Sequence, residues 1–179
     1  QQGIEAHQSF KLLVPRPYLS RIEYGNPNDP LLLQVLPNIA EMQKVAGYTK
    51  DPLEEIDHNP QKAIVHKYKR RLLVITTGTC AVNCRYCFRR HFPYGDNQLA
   101  QAEWQSVIDY LKDHPEVNEV ILSGGDPLMM KDALLADKVR KLDALPQIKR
   151  LRIHSRLPVV IPDRVCDDML AWIKASRLD

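Results

Sequence analysis

Leu72-Leu73-Val74-Ile75 is a continuous apolar run that leads within a few residues to Cys80-Ala81-Val82-Asn83-Cys84-Arg85-Tyr86-Cys87. A run of that kind is the pattern of a strand buried on both faces. The same pairing of strand and polar loop recurs twice. Val117–Leu122 ends in Ser123-Gly124-Gly125-Asp126-Pro127, and Leu151-Arg152-Ile153 is closed by Ser155-Arg156-Leu157-Pro158. Helical patterns lie between. Trp104, Val107, Ile108 and Leu111 fall at i, i+3, i+4 and i+7, which predicts an apolar stripe on a helix over Ala102–Lys112. A second helix is predicted over Asp132–Leu145, with Leu135, Val139 and Leu142 on one face. A third is expected to start near Asp163, a good N-cap, and to bury Val165, Met169 and Ile173.

Strand and helix thus alternate three times, the order of repeated βαβ units on a parallel sheet. Such connections are right-handed, and ligands gather at the carboxyl ends of the strands. The cysteine loop, the Gly-Gly-Asp loop and the Ser-Arg-Leu-Pro turn are therefore expected on one rim. Three strands do not close a barrel, and a closed eight-stranded one takes about 250 residues. The fold class expected is α/β, with residues 71–179 forming the N-terminal half of a (β/α) barrel. The sequence stops at Asp179 in what reads as a continuing helix, so further chain is expected beyond it.

Residues 1–70 read differently. Pro15, Pro17, Pro27, Pro30, Pro37, Pro52 and Pro60 break the pattern, and Gly25-Asn26-Pro27-Asn28-Asp29-Pro30 is a loop by its chemistry. Short helices are expected around Tyr18–Tyr24 and Leu31–Leu36, in an irregular helical lead-in. The start, Gln1–Lys11, is polar, lacks the apolar segment of a secretory signal and lacks an initiating Met, so chain is expected upstream as well. At 44% hydrophobic and 26% charged residues the composition is that of an ordinary globular protein. A net charge of +3 gives no concentrated basic face for nucleic acid, and no apolar run approaches a membrane span. Neither a nucleic-acid nor a membrane partner is expected.

Of the four cysteines, Cys80, Cys84 and Cys87 cluster while Cys166 stands alone, a spacing that suits metal or redox chemistry in a reducing cytoplasm better than a disulfide framework. Thiolate is the soft ligand that iron–sulfur clusters require. Three thiolates on a four-iron, four-sulfur (4Fe–4S) cube leave one iron open, free to chelate the amino and carboxylate groups of S-adenosylmethionine (SAM). A zinc-binding Cys3His module is an alternative, because His91 follows Cys87 closely, although zinc ligands usually come from two separated knuckles. In the Gly-Gly-Asp loop, Gly124 and Gly125 allow a close backbone approach, and their carbonyls with Asp126 suit an ammonium group. The same residues also make an ordinary strand-to-helix turn.

The C-x3-C-x2-C loop, Gly124-Gly125-Asp126-Pro127 and Ser155-Arg156-Leu157-Pro158 together resemble the radical SAM superfamily. Cys87-Phe88-Arg89-Arg90, Gly25-Asn26-Pro27-Asn28-Asp29-Pro30-Leu31-Leu32, Asp51-Pro52-Leu53-Glu54 and His66-Lys67-Tyr68 with Arg71 resemble its lysine 2,3-aminomutase branch, with Phe88 where a Thr is usual. Cys84–Tyr94 is most similar to the aminomutases that supply β-lysine for elongation factor P. The resemblance implies an isomerase that converts L-α-lysine to (R)-β-lysine with a 4Fe–4S cluster, SAM and pyridoxal 5′-phosphate. It implies Cys80, Cys84 and Cys87 as cluster ligands, with SAM at Gly124, Gly125, Asp126 and Arg156. It further implies Arg89 on the substrate carboxylate, and Arg71 and Tyr68 on pyridoxal phosphate. The implied partners are lysine, a flavodoxin- or ferredoxin-type electron donor, and elongation factor P with its lysyl-transferring synthetase. The family's aldehyde-binding lysine and its acids for the substrate ε-amino group lie farther toward the carboxyl end, so no catalytic residue is assigned here.

Blander readings stand beside these. By their residue types alone Arg89 and Arg90 read first as solvated charges, and Arg71 as part of a solvated basic edge. Tyr68 reads as a packing residue, His66, His91 and His154 as structural histidines, and Cys166 as a small buried hydrophobe. Other functions compatible with the loop are a free-lysine aminomutase, which makes β-lysine as a metabolite, and a simple iron–sulfur electron carrier.

Overall fold

A computed structural model describes residues 3–97 and 103–179. The chain folds into two compact units, one of residues 1–54 with 80–92, the other of residues 55–79 with 93–179.

The second unit is built on a four-stranded sheet. β1 (Ile64–Tyr68) and β2 (Arg71–Thr77) form a tight antiparallel hairpin, with Tyr68 opposite Arg71. β2 pairs in parallel with β3 (Glu119–Gly124), and β3 with β4 (Arg150–Ile153), so spatial order follows chain order. The register lines up Arg71, Glu119 and Arg150, then Leu73, Ile121 and Arg152. β1 lies in the stretch read from sequence as irregular. Only Ile64 and Val65 of it are buried, and the charged residues that follow hide so short an apolar signal.

The first strand expected and the first two helices are where the periodicity puts them, while β3 runs two residues later than the Val117–Leu122 expected, so that Ser123 and Gly124 end the strand rather than open the loop. The helix over Trp104–Asp113 buries Trp104, Val107, Ile108 and Leu111, and the one over Asp132–Asp143 buries Leu135, Val139 and Leu142. Ala102 lies outside the described residues. With Leu72, Val74, Val120 and Leu122 these side chains make the core of this unit. The third helix differs from expectation. Pro162–Arg164, including Asp163, is a separate 3-10 turn, and the helix runs over Asp167–Ala175 with Cys166 at its N-cap. It buries Met169 and Trp172, while Val165 and Ile173 are 44% and 41% exposed. Asp132 fixes this phase, because its Oδ1 accepts from Trp172 Nε1 at 2.7 Å and from Arg164 Nη2 at 2.8 Å. Cys166 is half-exposed rather than buried. That helix ends at Ala175. The Asp179 N–H donates to the Lys149 carbonyl at 3.1 Å, and the Leu151 N–H donates to the Asp179 carbonyl at 3.0 Å, which places Asp179 beside Arg150.

In the first unit, short helices cover Ile4–Ser9, Arg16–Leu19 and Pro30–Leu33, with a 3-10 turn at Ile39–Met42. The helices expected at Tyr18–Tyr24 and Leu31–Leu36 are thus each a single turn, displaced toward the amino end. Pro17 and Pro30 sit in their first turns, where a missing N–H costs nothing. Asp29 caps Pro30–Leu33, accepting from the Leu31 and Leu32 amides at 2.8 Å. Among the described residues, no helix is long and apolar enough to cross a membrane.

Candidate functional site

The cysteine loop is a run of consecutive turns. The Cys87 N–H donates to the Cys84 carbonyl at 3.0 Å, the Arg90 N–H to the Cys87 carbonyl at 3.3 Å and the Phe92 N–H to the Arg89 carbonyl at 3.0 Å. Residues 10–41 fasten it. The Asn83 N–H and Nδ2 reach the Leu13 and Lys11 carbonyls at 3.0 and 2.9 Å, and the Arg85 N–H reaches the Gln34 carbonyl at 2.8 Å. Cys80, Cys84 and Cys87 take part in no disulfide and are half-buried. Burial pushes the Cys87 thiol above its ordinary range. The Arg89 N–H on its sulfur and the Arg89 and Arg90 charges oppose that rise, while Cys84 adds to it. A metal on the sulfur would reverse the balance, because a coordinated thiol loses its proton.

Arg89 and Arg90 are not solvated charges. Arg89 is 7% exposed with its guanidinium over the Phe88 ring at 4.8 Å, and Arg90 Nη1 donates to Glu41 at 2.7 Å. His91, the fourth ligand of the zinc alternative, is exposed. Among the described residues, no three His, Cys, Asp or Glu side chains converge on a single-ion site. A four-iron cube asks less convergence of its thiolates than one zinc ion does, since each binds a different iron. Three cysteines on one turn-rich loop, none of them in a disulfide, are the donor set it takes.

In the other unit, the loops after β2, β3 and β4 are joined by hydrogen bonds. The Gly125 N–H donates to the Thr77 carbonyl at 2.6 Å and the Asp126 N–H to the Thr79 carbonyl at 2.8 Å. Gly124 has φ +122°, and a Cβ there would stand 2.4 Å from the Thr77 oxygen. A Cβ on Gly125 would stand 2.4 Å from the Thr79 oxygen. The glycines are therefore required by the chain's own backbone, whatever else approaches them. The Gly124 carbonyl also accepts from Tyr94 Oη at 2.7 Å.

Asp126 is buried, and protein donors take up its carboxylate. Oδ1 accepts from the Leu128 N–H at 3.0 Å and Ser155 Oγ at 2.7 Å; Oδ2 accepts from the Arg156 and Leu157 amides at 2.8 and 3.0 Å. A carboxylate offers about four such sites, so this side chain ties the third loop to the second rather than waiting for an ammonium group. It also sets Arg156, whose backbone caps a one-turn helix over Leu157–Val160.

Arg71 and Tyr68 lie elsewhere. They flank the β1–β2 turn at the amino end of β2, roughly 20 Å along the strand from Thr77. The structure does not bring them to the strand-end loops. Tyr68 is 58% exposed beneath the Arg71 guanidinium at 5.7 Å. Arg71 Nε is 2.8 Å from Glu119, which also faces Arg152 at 3.1 Å and Arg150 at 3.5 Å. Three guanidiniums around one buried carboxylate leave an excess of positive charge on that face, a donor set suited to a phosphate. Glu119, Arg150 and Arg152 escaped the sequence reading. Their signal was available in the alternation of β4, where Arg150 and Arg152 share a face.

The profile of the Radical SAM superfamily matches residues 74–179. The chain belongs to the radical SAM superfamily. Membership implies a 4Fe–4S cluster and SAM, and the three-thiol loop fits the first. Within the superfamily, the chain is 50% identical over 178 residues to an L-lysine 2,3-aminomutase of Haemophilus influenzae, covering 99% of this chain and 53% of that protein. It is 50% identical over 176 residues to the Escherichia coli K12 protein of the same name, covering 98% of this chain and 51% of that one. For the Clostridium subterminale L-lysine 2,3-aminomutase the identity is 35% over 176 residues, 97% of this chain and 42% of that protein. The chain spans about half the length of the first two of these relatives.

Proposed function

We propose that the protein is a radical SAM lysine 2,3-aminomutase, an isomerase that makes (R)-β-lysine from L-α-lysine for the modification of elongation factor P. The observation that carries this reading is the loop of three cysteines free of disulfides in a chain half-identical, over nearly its whole length, to proteins of that name. When bound, the cluster with SAM supplies a carbon-centred oxidant for an unactivated C–H bond, and pyridoxal phosphate supplies a π system that steadies the migrating nitrogen.

The chain's own residues supply placement. Cys80, Cys84 and Cys87 hold the cluster. Asp126 fixes the joined loops so that the Gly124 and Gly125 backbone and Arg156 are presented to SAM. Arg89, buried and kept from solvent, is matched to a substrate carboxylate, a bidentate task for guanidinium. Arg71, with Arg150 and Arg152 around Glu119, offers the cationic face for a phosphate, and Tyr68 lies beside it. The link to elongation factor P rests on the resemblance of Cys84–Tyr94.

The full-length protein, reconstituted anaerobically with iron and sulfide, is expected to release 5′-deoxyadenosine from SAM and to form β-lysine when pyridoxal phosphate, lysine and a flavodoxin- or ferredoxin-type reductant are supplied. Cys84→Ala should abolish both products. Transfer of labelled β-lysine to elongation factor P by its synthetase separates the modification pathway from a free metabolite. Absence of 5′-deoxyadenosine from the iron-loaded protein would overturn the reading in favour of an electron carrier.

A further inference from the structure

The residues that fasten the cysteine loop converge on one carboxylate before the stretch that matches the superfamily. Glu41 lies in the 3-10 turn Ile39–Met42, closed by a capping box in which Glu41 Oε1 accepts from the Asn38 N–H at 2.9 Å and Asn38 Oδ1 from the Ala40 N–H at 2.9 Å. The same carboxylate takes Arg85 in a two-pronged pair, through Nε at 2.8 Å and through Nη2, and takes Arg90 Nη1 at 2.7 Å. Arg85 continues to the Phe10 carbonyl at 2.7 Å and the Ala6 carbonyl at 3.4 Å. The Phe10 ring lies under both guanidiniums, at 5.0 Å from Arg85 and 4.8 Å from Arg90. Arg90 Nε is buried and has no hydrogen-bond acceptor among the described residues, so Glu41 supplies the directional bond that orients this side chain.

Arg85 follows Cys84 directly, and Arg90 is three positions beyond Cys87. We propose that Glu41 is a positioning residue for the iron–sulfur cluster: by pinning Arg85 and Arg90 it sets the shape of the Cys80–Cys87 loop and the net charge beside it. This rests on the cluster reading above. Two largely buried cationic side chains share one anion, so the loop carries a residual positive charge. That charge favours the reduced cluster, which is the more negative form. Hydrogen bonding and charge around a cluster are the protein's main means of setting its potential.

The test uses the reconstituted full-length protein and reads the midpoint potential by spectroscopically monitored titration, together with the rate of iron loss to a chelator. Glu41→Gln keeps the size of the side chain and removes its charge. It is expected to raise the midpoint potential and to release iron several-fold faster than the parent. Arg90→Gln removes a cation instead and is expected to shift the potential the opposite way, and Glu41→Asp is expected to restore the parent potential in part. Shifts of opposite sign are not produced by a loss of folding stability alone. If the parent holds a cluster and both Gln variants show its potential and iron retention, the proposal falls while the cluster reading stands. If the parent binds no iron, the cluster reading itself fails.

Discussion

Lys138 illustrates how one residue can sit against its own chemistry. It is 4% exposed, and its ammonium lies 4.0 Å from the Trp104 ring centroid. Burial, aided by the Lys141 charge and opposed by Asp137, lowers its pKa from 10.5 to about 8. Between those values the unfolded chain keeps a proton that the folded protein has lost, so stability rises with pH across that window. The whole effect is at most about 3 kcal/mol, and a cation–π contact of about 0.5–2 kcal/mol offsets part of the cost of the charged form. Lys138→Met is expected to flatten the rise in urea midpoint between pH 8 and pH 10. A variant that kept the parent's slope would assign the dependence to another group. Asp126 shows the opposite case, a buried charge whose acceptor sites are filled by backbone and hydroxyl donors. Sequence showed the Gly-Gly-Asp pattern but not that its bonds turn inward, because spacing does not reveal where a carboxylate finds its donors.

At the scale of elements, what the sequence revealed depended on the length of the apolar repeat. The helix over Trp104–Asp113 carries its stripe through two full turns, and all its stripe residues are buried. Leu111→Ala there is expected to cost about 2–5 kcal/mol, read as a lower denaturation midpoint; a change under 1 kcal/mol would mean the core refills the cavity. β1 was not legible, since two buried residues are too few for a period. The helix over Asp167–Ala175 was legible in existence but not in phase, because Asp132, distant in sequence, binds Trp172 as well as Arg164 and selects Trp172 for burial. The glycines at the end of β3 were legible as sites of close backbone approach, while the partners in that approach, Thr77 and Thr79, are set by a contact across strands. The row of Arg71, Glu119 and Arg150 likewise exists only once strand register is known.

At the scale of the molecule, the sequence divides into sheet and lead-in, and the structure divides by what surrounds the cysteines. The loop of residues 80–92 is grouped with residues 1–54, whose backbone carbonyls and Glu41 hold it. The sheet unit keeps the strand-end loops and the arginine row. Superfamily membership rests on residues 74–179, and the aminomutase reading on similarity that runs through both units. The proposed role of Cys80, Cys84 and Cys87 is to anchor a cube with one iron left for SAM. The most direct measurement is electron paramagnetic resonance of the anaerobically reconstituted, dithionite-reduced protein, recorded with and without SAM. A reduced-cluster signal whose g values change on adding SAM is the result expected. A protein that takes up no iron, or a cluster signal indifferent to SAM, would contradict it.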